Sequence, residues 1–162
     1  VMVRDMRMAG FDPDSTGTFD IVTATADEFR FTAADFNDDG DDEDISYRLY
    51  ASVSGSSLGR QNRLTPPATP LPPISAIADN IEELEFLYVL DDGTPVLAPT
   101  SAQLEDIRSV QISILASARQ PDRNYTHTDT YTTASGDTWT PPNDNLRRRF
   151  QVMTVQLRNM GL

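Results

Sequence analysis

The sequence predicts an α+β domain that is mostly antiparallel β, with one helix end followed by a β-rich globular head. Two observations lead to this class. Apolar residues recur at helical spacing near the N-terminus, whereas several later segments alternate apolar and polar residues in the manner of strands. The length of 162 residues fits a single domain with one hydrophobic core.

Residues 1–10 are predicted to be the C-terminal end of a helix, and residues 11–162 are predicted to form the head. Gly10 stands where a C-terminal glycine cap belongs, and Pro13 follows just beyond it. A helix of about nine residues is marginal on its own. We therefore interpret this segment as the end of a longer, truncated helix.

One face of this helix end is apolar. Met2, Met6 and Ala9 recur at helical spacing, and we expect them to pack on the sheet of the head. Met2 and Met6 are also candidate contacts for a partner protein. The polar residues that fall mainly elsewhere on the helix are Arg4, Asp5 and Arg7.

Two alternating segments on either side of a polar loop predict a β-hairpin with one buried face. The residues expected on the buried face are Phe29, Phe31, Ile45, Tyr47, Leu49 and either Ala51 or Val53. The residues expected on the solvent face are Arg30, Thr32, Ser46, Arg48 and Tyr50.

The remaining chain predicts further strands separated by irregular segments. A proline-rich stretch follows the hairpin and is expected to be an extended surface connection. We then expect a short helical turn at 77–84 leading into a strand at about 85–90, and another strand at about 109–116. Residues 119–145 are expected to form a long loop or a ragged hairpin, and a last strand is expected at about 149–158. The total is about six or seven antiparallel strands.

The polar loop of the first hairpin resembles a calcium-binding loop in its spacing. Asp35, Asn37 and Asp39 stand at the first, third and fifth positions of such a loop, where alternate side chains converge on one cation. Gly40 follows at the sixth position, where the chain must turn sharply. The other expected ligands are the backbone carbonyl of Asp41 and the side chain of Glu43.

The alternative interpretation of this loop is a solvated hairpin tip. The twelfth position is Ser46 instead of the bidentate glutamate of a helix-flanked loop, and strands flank the loop on both sides. Asp, Asn and Gly are favoured turn residues in any case. With both interpretations open, calcium is the one cofactor that the sequence suggests.

Composition and motifs argue against an enzyme and against a nucleic-acid-binding protein. The net charge of −12 opposes phosphate binding, which needs clustered cations. His127 is the single histidine, and the sequence has neither a G-x-S-x-G nucleophile motif nor a phosphate-binding glycine loop. We therefore predict no catalytic residues and no small-molecule substrate.

Two further features are candidate partner contacts. Trp139 would suit an interface anchor, and the alternative is a large ring packed over the sheet beneath a long loop. Arg147, Arg148 and Arg149 would suit an acidic partner, and the alternative is that one or two of them pair with nearby acidic residues.

Several segments together resemble the PilW family of type IV pilus minor pilins and the related J-type pseudopilins of type II secretion. The segments are "VRDMRMAGFDP" at 3–13, "FTAADFNDDGDDEDISYRLY" at 31–50, "IADNIEELEFLYVLDDG" at 77–93, "IRSVQISILASA" at 107–118 and "RRRFQVMTVQLRNMGL" at 147–162. Their order and spacing extend through nearly the whole chain, although each segment alone is only a helix end, a strand or a turn.

The resemblance implies a structural function. Members of this family carry a cleaved leader and a long hydrophobic N-terminal helix, both of which would lie upstream of Val1. The helix would anchor the protein in the inner membrane of a Gram-negative bacterium, with a periplasmic head, before assembly into the filament. The head would then sit at or near the pilus tip in a hetero-oligomeric complex with other minor pilins or pseudopilins, where it primes assembly.

Three alternatives place the protein in another molecular machine or in another functional class. The protein would be a J-type pseudopilin of a type II secretion system, a secreted ion- or carbohydrate-binding β module, or a carboxylate-based hydrolase. The sequence upstream of Val1 separates the pilin-like proteins from the β module, because a pilin requires a basic leader followed by about 20 apolar residues.

Overall fold

The computed structural model describes residues 1–37, 40–53, 55–63 and 70–160 of the chain, which contain one α-helix and eleven strands. The helix α1 spans Met2–Met6, and a short 3-10 turn spans Ser101–Gln103. The strands are β1 (Ile21–Ala24), β2 (Glu28–Ala33), β3 (Glu43–Ser52), β4 (Gly55–Asn62), β5 (Ser75–Asp79), β6 (Ile81–Leu90), β7 (Pro95–Val96), β8 (Ile107–Ser117), β9 (Tyr131–Thr132), β10 (Thr138–Trp139) and β11 (Arg148–Gln156).

The strands form two antiparallel sheets and a separate two-stranded hairpin. The first sheet has the order β1-β2-β3-β4-β5, and the second sheet has the order β11-β8-β6-β7. Strands β9 and β10 pair with each other. Every described pairing is antiparallel, which confirms the predicted mostly antiparallel β class.

The core lies where the two sheets meet, and aromatic rings fill its centre. Phe29 on β2 lies 5.5 Å from Phe31, 6.3 Å from Phe86 and 6.0 Å from Tyr88, measured between ring centroids. All four rings are buried. Tyr88 also reaches across to the first sheet, where its hydroxyl donates to the backbone carbonyl of Thr25 at 2.8 Å. Two sheets that each have one apolar face are stabilised mainly by the apolar surface area that they bury against each other.

The predicted hairpin exists as β2 and β3, and most of its buried face is as expected. Phe29, Phe31, Ile45 and Tyr47 are fully buried. The prediction is wrong at the end of the strand, where Ala51 and Val53 are both exposed. The expected solvent face is wrong at Ser46, which is 1% exposed. Every residue of the first half of β3, from Glu43 to Tyr47, is buried, so both faces of this part of the strand are covered.

The predicted helical turn at 77–84 is wrong, because β5 and the start of β6 occupy these residues. Asn80 separates the two strands with a left-handed φ of 57°. The register of β6 on β8 then shifts between Ile81 and Glu83, so that Ile81 and Leu84 are both buried although they are three residues apart. A β-bulge thus produced the apparent helical spacing.

The predicted number of about six or seven strands was too low, and β4 is the longest of the strands that were missed. Its sequence is rich in glycine and serine and lacks a regular apolar alternation. Gly59 is needed there, since a Cβ at this position would lie 2.4 Å from Ile74 and 2.7 Å from Tyr50. The later expectations were better: the strands expected at 109–116 and 149–158 exist as β8 and β11, and the stretch 119–145 contains the small β9–β10 hairpin.

The helix is shorter than predicted, but its expected end is present. Hydrogen-bonded turns continue from α1 through Ala9, and Gly10 has the left-handed φ of 70° that suits a glycine cap. A Cβ on Gly10 would also lie 2.7 Å from the sulfur of Met160, so the C-terminal segment packs closely at this point. Among the described residues, no helix has the length and apolar character required to cross a membrane.

Candidate functional site

A buried carboxylate fixes α1 to the first sheet. Asp5 is 0% exposed, and its Oδ2 accepts hydrogen bonds from the Tyr47 hydroxyl on β3 at 2.7 Å and from Nε of Arg60 on β4 at 2.8 Å. Burial and the hydrogen bond to Asp5 raise the pKa of Tyr47 well above its usual value, so the hydroxyl remains a donor. A buried ion pair is favourable only in good geometry. Movement of the helix end would break that geometry, so these bonds hold the helix end in one position.

Asp5 lies on the buried face of the helix, so its predicted position away from the apolar face is wrong. Met2, Asp5, Met6 and Ala9 are all buried and share one face. Their spacing of three, one and three residues is that of an apolar stripe along a helix. This spacing, with an acidic residue inside the stripe, was the signal that would have identified Asp5.

The predicted packing of the helix methionines is confirmed. Met2 is 7% exposed, Met6 is 0% exposed, and both belong to the hydrophobic core together with Ala9. The amide of Asn159 donates to the backbone carbonyl of Arg7 at 3.1 Å, which ties the C-terminal segment to the same helix end. Met2 and Met6, also considered as partner contacts, therefore contact the head of their own chain.

The three consecutive arginines lie in three different environments. Arg148 is almost fully buried and binds two carboxylates: Glu82 with Nε at 2.6 Å and Asp144 with Nη1 at 2.7 Å. Arg147 pairs with Asp122 at 2.8 Å and lies over a tyrosine ring. Arg149 is exposed and takes part in no ion pair with the described residues. The pairing of two arginines with local acids agrees with the second interpretation of this cluster.

The ion pair with Arg148 makes the contribution of Asp144 to stability depend on pH. Hydrogen bonds from Arg148, followed by the backbone N–H of Leu146, lower the pKa of Asp144 from 3.8 to about 2. A carboxylate whose pKa is lower in the folded protein stabilises the fold at pH values above its unfolded pKa. That contribution is lost as the pH falls from about 4 towards 2.

We predict that Asp144→Asn loses this acid-dependent contribution. The wild-type protein should be more stable than the variant to urea at pH 5, and the difference should shrink progressively at pH 4 and pH 3. Asp14→Asn, at an exposed loop residue that has no ion pair with the described residues, is the control and should differ little from the wild type at any pH. A difference for Asp144→Asn that stays constant with pH would contradict the assigned ion pair.

A second buried carboxylate holds the β9–β10 hairpin on the outer face of the second sheet. Glu85 on β6 is 6% exposed and accepts hydrogen bonds from the hydroxyls of Thr133 at 3.1 Å and Ser135 at 2.8 Å. Trp139 contacts Phe150 edge to face at 5.8 Å and is partly buried. Trp139 thus packs over the sheet, as its second interpretation proposed, and still exposes part of its ring.

His127 has the features of a structural residue. It is 0% exposed, its Nδ1 lies 3.1 Å from the Tyr125 hydroxyl, and its Nε2 lies 3.1 Å from the backbone carbonyl of Asp129. The ring also stacks on Tyr131 with centroids 5.9 Å apart. Both nitrogens and one ring face are occupied by the chain itself, so this histidine is poorly placed to act as a general base.

The acidic loop is organised by its own hydrogen bonds. The carboxylate of Asp35 accepts from the backbone N–H groups of Asn37 at 3.1 Å and Gly40 at 2.8 Å. Glu43 is 0% exposed and accepts from the side-chain amides of Asn37 and Asn62. The loop is therefore not a wholly solvated hairpin tip, because its last acidic residues lie inside the head.

Calcium binding at this loop stays a prediction. Asp39 lies outside the described residues. In the predicted site, Asp41 would contribute its backbone carbonyl and not its side chain. Within the described part of the chain, no three acidic or histidine side chains form a group suited to a metal ion. Asn37 nevertheless lies against two of the other expected ligand residues, since its backbone N–H donates to Asp35 and its side-chain amide donates to Glu43.

We predict that a calcium site here would have the affinity of extracellular modules, with Kd on the order of 10⁻⁴–10⁻³ M. Calcium at ten times that Kd would stabilise the fold by about 1.4 kcal/mol, which raises the midpoint of thermal unfolding by roughly 3–6 °C. Melting in millimolar calcium and in chelator measures this difference. Equal midpoints would contradict the site, as would an unchanged calcium response in the double variant Asp35→Ala with Asp39→Ala.

Known proteins are similar to this chain in sequence and in fold. A family model described as type IV pilus-assembly protein W, PilW, matches residues 46–159, which is more than half of the chain. A solved type IV-like pilin from Thermus thermophilus superposes with a TM-score of 0.69 and 16% identity, over 98% of this chain and 92% of that chain. No curated protein matches the sequence. The superposition shows the pilin-like fold, and the family match shows that the chain belongs to the PilW family.

Proposed function

We propose that this chain is the head of a minor pilin that primes assembly of a type IV pilus and sits at or near its tip. The observation that carries this proposal is the buried attachment of α1 to the head through Asp5 and Met6. A subunit that enters a filament through its helix needs a head fixed rigidly to that helix. The membership of the PilW family supports the same function.

We further propose that α1 continues upstream into a hydrophobic helix. That helix would span the inner membrane before assembly, with the head in the periplasm, and would lie within the filament afterwards. The membership of the PilW family and the likeness to a solved type IV-like pilin support this proposal.

The proposed partners are the heads of other minor pilins. Most of the natural affinity between subunits would come from the packing of their helices, so isolated heads should bind each other weakly. The strongly acidic chain, with a net charge of −12, favours partner heads whose own net charge is positive or close to zero.

Light scattering on mixtures of purified heads tests this function. We expect at least one pilin head encoded beside this chain to form a heteromeric complex with it. If this chain stays monomeric with every such head, and cells without the full-length protein still make normal pili, the proposed function is wrong. If those cells instead lose protein secretion and keep their pili, the chain belongs to a type II secretion system as a J-type pseudopilin.

A further inference from the structure

Strand β11 forms the longest edge of the described sheets. It covers nine residues, whereas the other three edge strands, β1, β5 and β7, cover four, five and two residues. Its register on β8 is continuous from Arg148 opposite Ser117 to Gln156 opposite Ser109, without a bulge. Among the described strands, β11 pairs with β8 alone.

The backbone groups that face away from β8 can be identified. The N–H of Ala118 donates to the carbonyl of Arg147 at 2.7 Å, and the N–H of Leu157 donates to the carbonyl of Arg108 at 2.9 Å. In an antiparallel pair, hydrogen-bonded positions recur at every second residue. Because the register between these two bonds is unbroken, the odd-numbered residues of β11 bond to β8. The N–H and C=O groups of Phe150, Val152 and Thr154 therefore point outward.

No hydrogen bond from another described element closes this outward edge. Residues 150–157 contain neither a charged residue nor a proline, which are the usual means of guarding an edge strand. Gln151 and Val152 point to opposite faces of the sheet, and both are exposed, with Val152 at 44%. The middle of β11 is thus open on both faces as well as along its edge.

We propose that the outer edge of β11 receives an extended strand of a partner subunit, which adds to the second sheet by β-augmentation. The proposal rests on the proposed function, since it names the surface through which that assembly would occur. Backbone hydrogen bonds to Phe150, Val152 and Thr154 would supply the attachment. The partner strand would be uncharged at its centre and acidic near its ends.

Charge decides between a different subunit and a second copy of this chain. Arg149 and Arg158 flank the uncharged stretch, and both are exposed and take part in no ion pair with the described residues. Acidic groups at the ends of a partner strand would neutralise them. A second copy would instead bring its own arginines and another net charge of −12 to the contact, so we assign the edge to a different subunit.

Hydrogen exchange on the isolated head tests the geometry. The amides of Phe150, Val152 and Thr154 should exchange at least about tenfold faster than those of Gln151 and Met153, which bond to β8. Equal protection of both sets would show that the edge is already covered and would overturn the proposal.

Thr154→Pro tests the binding, since proline removes an outward N–H and leaves the bonds to β8 in place. Its binding to the pilin heads encoded beside this chain should weaken by about tenfold or more, while Thr154→Ser, which keeps the N–H, should bind like the wild type. Thr154→Lys is the second variant, because a lysine on an edge opposes strand addition and retains the backbone. Melting curves confirm that each variant is folded.

The outcomes separate this proposal from the proposed function. Loss of binding in Thr154→Pro and Thr154→Lys, with new protection of the Val152 amide in the wild-type complex, supports the edge. Heteromeric binding that survives both substitutions overturns the edge and leaves the pilin function intact. Absence of all binding by the wild type overturns the proposal, and a homodimer that these substitutions dissolve overturns the assignment to a different subunit.

Discussion

Asp5→Ala is expected to lower the free energy of unfolding by about 3 kcal/mol, because it removes one member of a buried ion pair. Arg60 and the Tyr47 hydroxyl would lose their shared acceptor inside the head. The Arg60 side chain is 24% exposed and retains some access to water, so the loss should lie at the lower end of the range for such pairs. For a chain of this size the midpoint of thermal unfolding should fall by roughly 6–12 °C.

Arg4→Ala is the matched control for Asp5→Ala. Arg4 also pairs with Asp5, at 3.3 Å, but its side chain is 75% exposed. Exposed pairs contribute about 0–1 kcal/mol, so this variant should melt close to the wild type. Equal midpoints for the two variants would show that Asp5 does not anchor the helix.

Met6→Asp should have a still larger effect, with a loss of about 4 kcal/mol or more. Met6 is 0% exposed, and an aspartate there would place a second carboxylate in the core beside Asp5 without a partner. If this variant does not fold, Met6→Ala provides the measurement, with an expected loss of about 2–5 kcal/mol.

Arg7→Asp is the control for Met6→Asp, because it introduces the same side chain at the next, exposed position. Surface substitutions of this kind usually change the stability by about 0.5 kcal/mol or less. An unchanged melting curve for Met6→Asp would mean that α1 is a free tail, and the proposed rigid attachment of the helix to the head would be wrong.

The fold was predictable where the apolar pattern had a regular period. The alternation around Phe29 and Tyr47 predicted β2 and β3, and the strands expected at about 109–116 and 149–158 correspond to β8 and β11. The prediction failed at Ile81 because a bulge changed the spacing of the buried residues. It failed at β4 because Gly59 is required by the side chains packed over it, which a single sequence does not reveal.

The candidate site was predictable only in part. The packing of Met2 and Met6 followed from helical spacing, and the pairing of Arg147 and Arg148 with acids was one of two stated interpretations. The partners of Asp5 were not predictable, since Tyr47 and Arg60 are 42 and 55 residues away along the chain. Contacts of that kind depend on strand order, and the strand order depended on the missed β4.

The most direct test of the central claim, that this chain acts as a pilus-assembly subunit, is a count of surface pili on cells by electron microscopy. Deletion of the full-length gene should remove most pili, and the wild-type gene should restore them. Met6→Asp should fail to restore them, whereas Arg7→Asp should succeed, because only the first is expected to detach the helix end from the head. Normal pili in the deletion strain would contradict the claim.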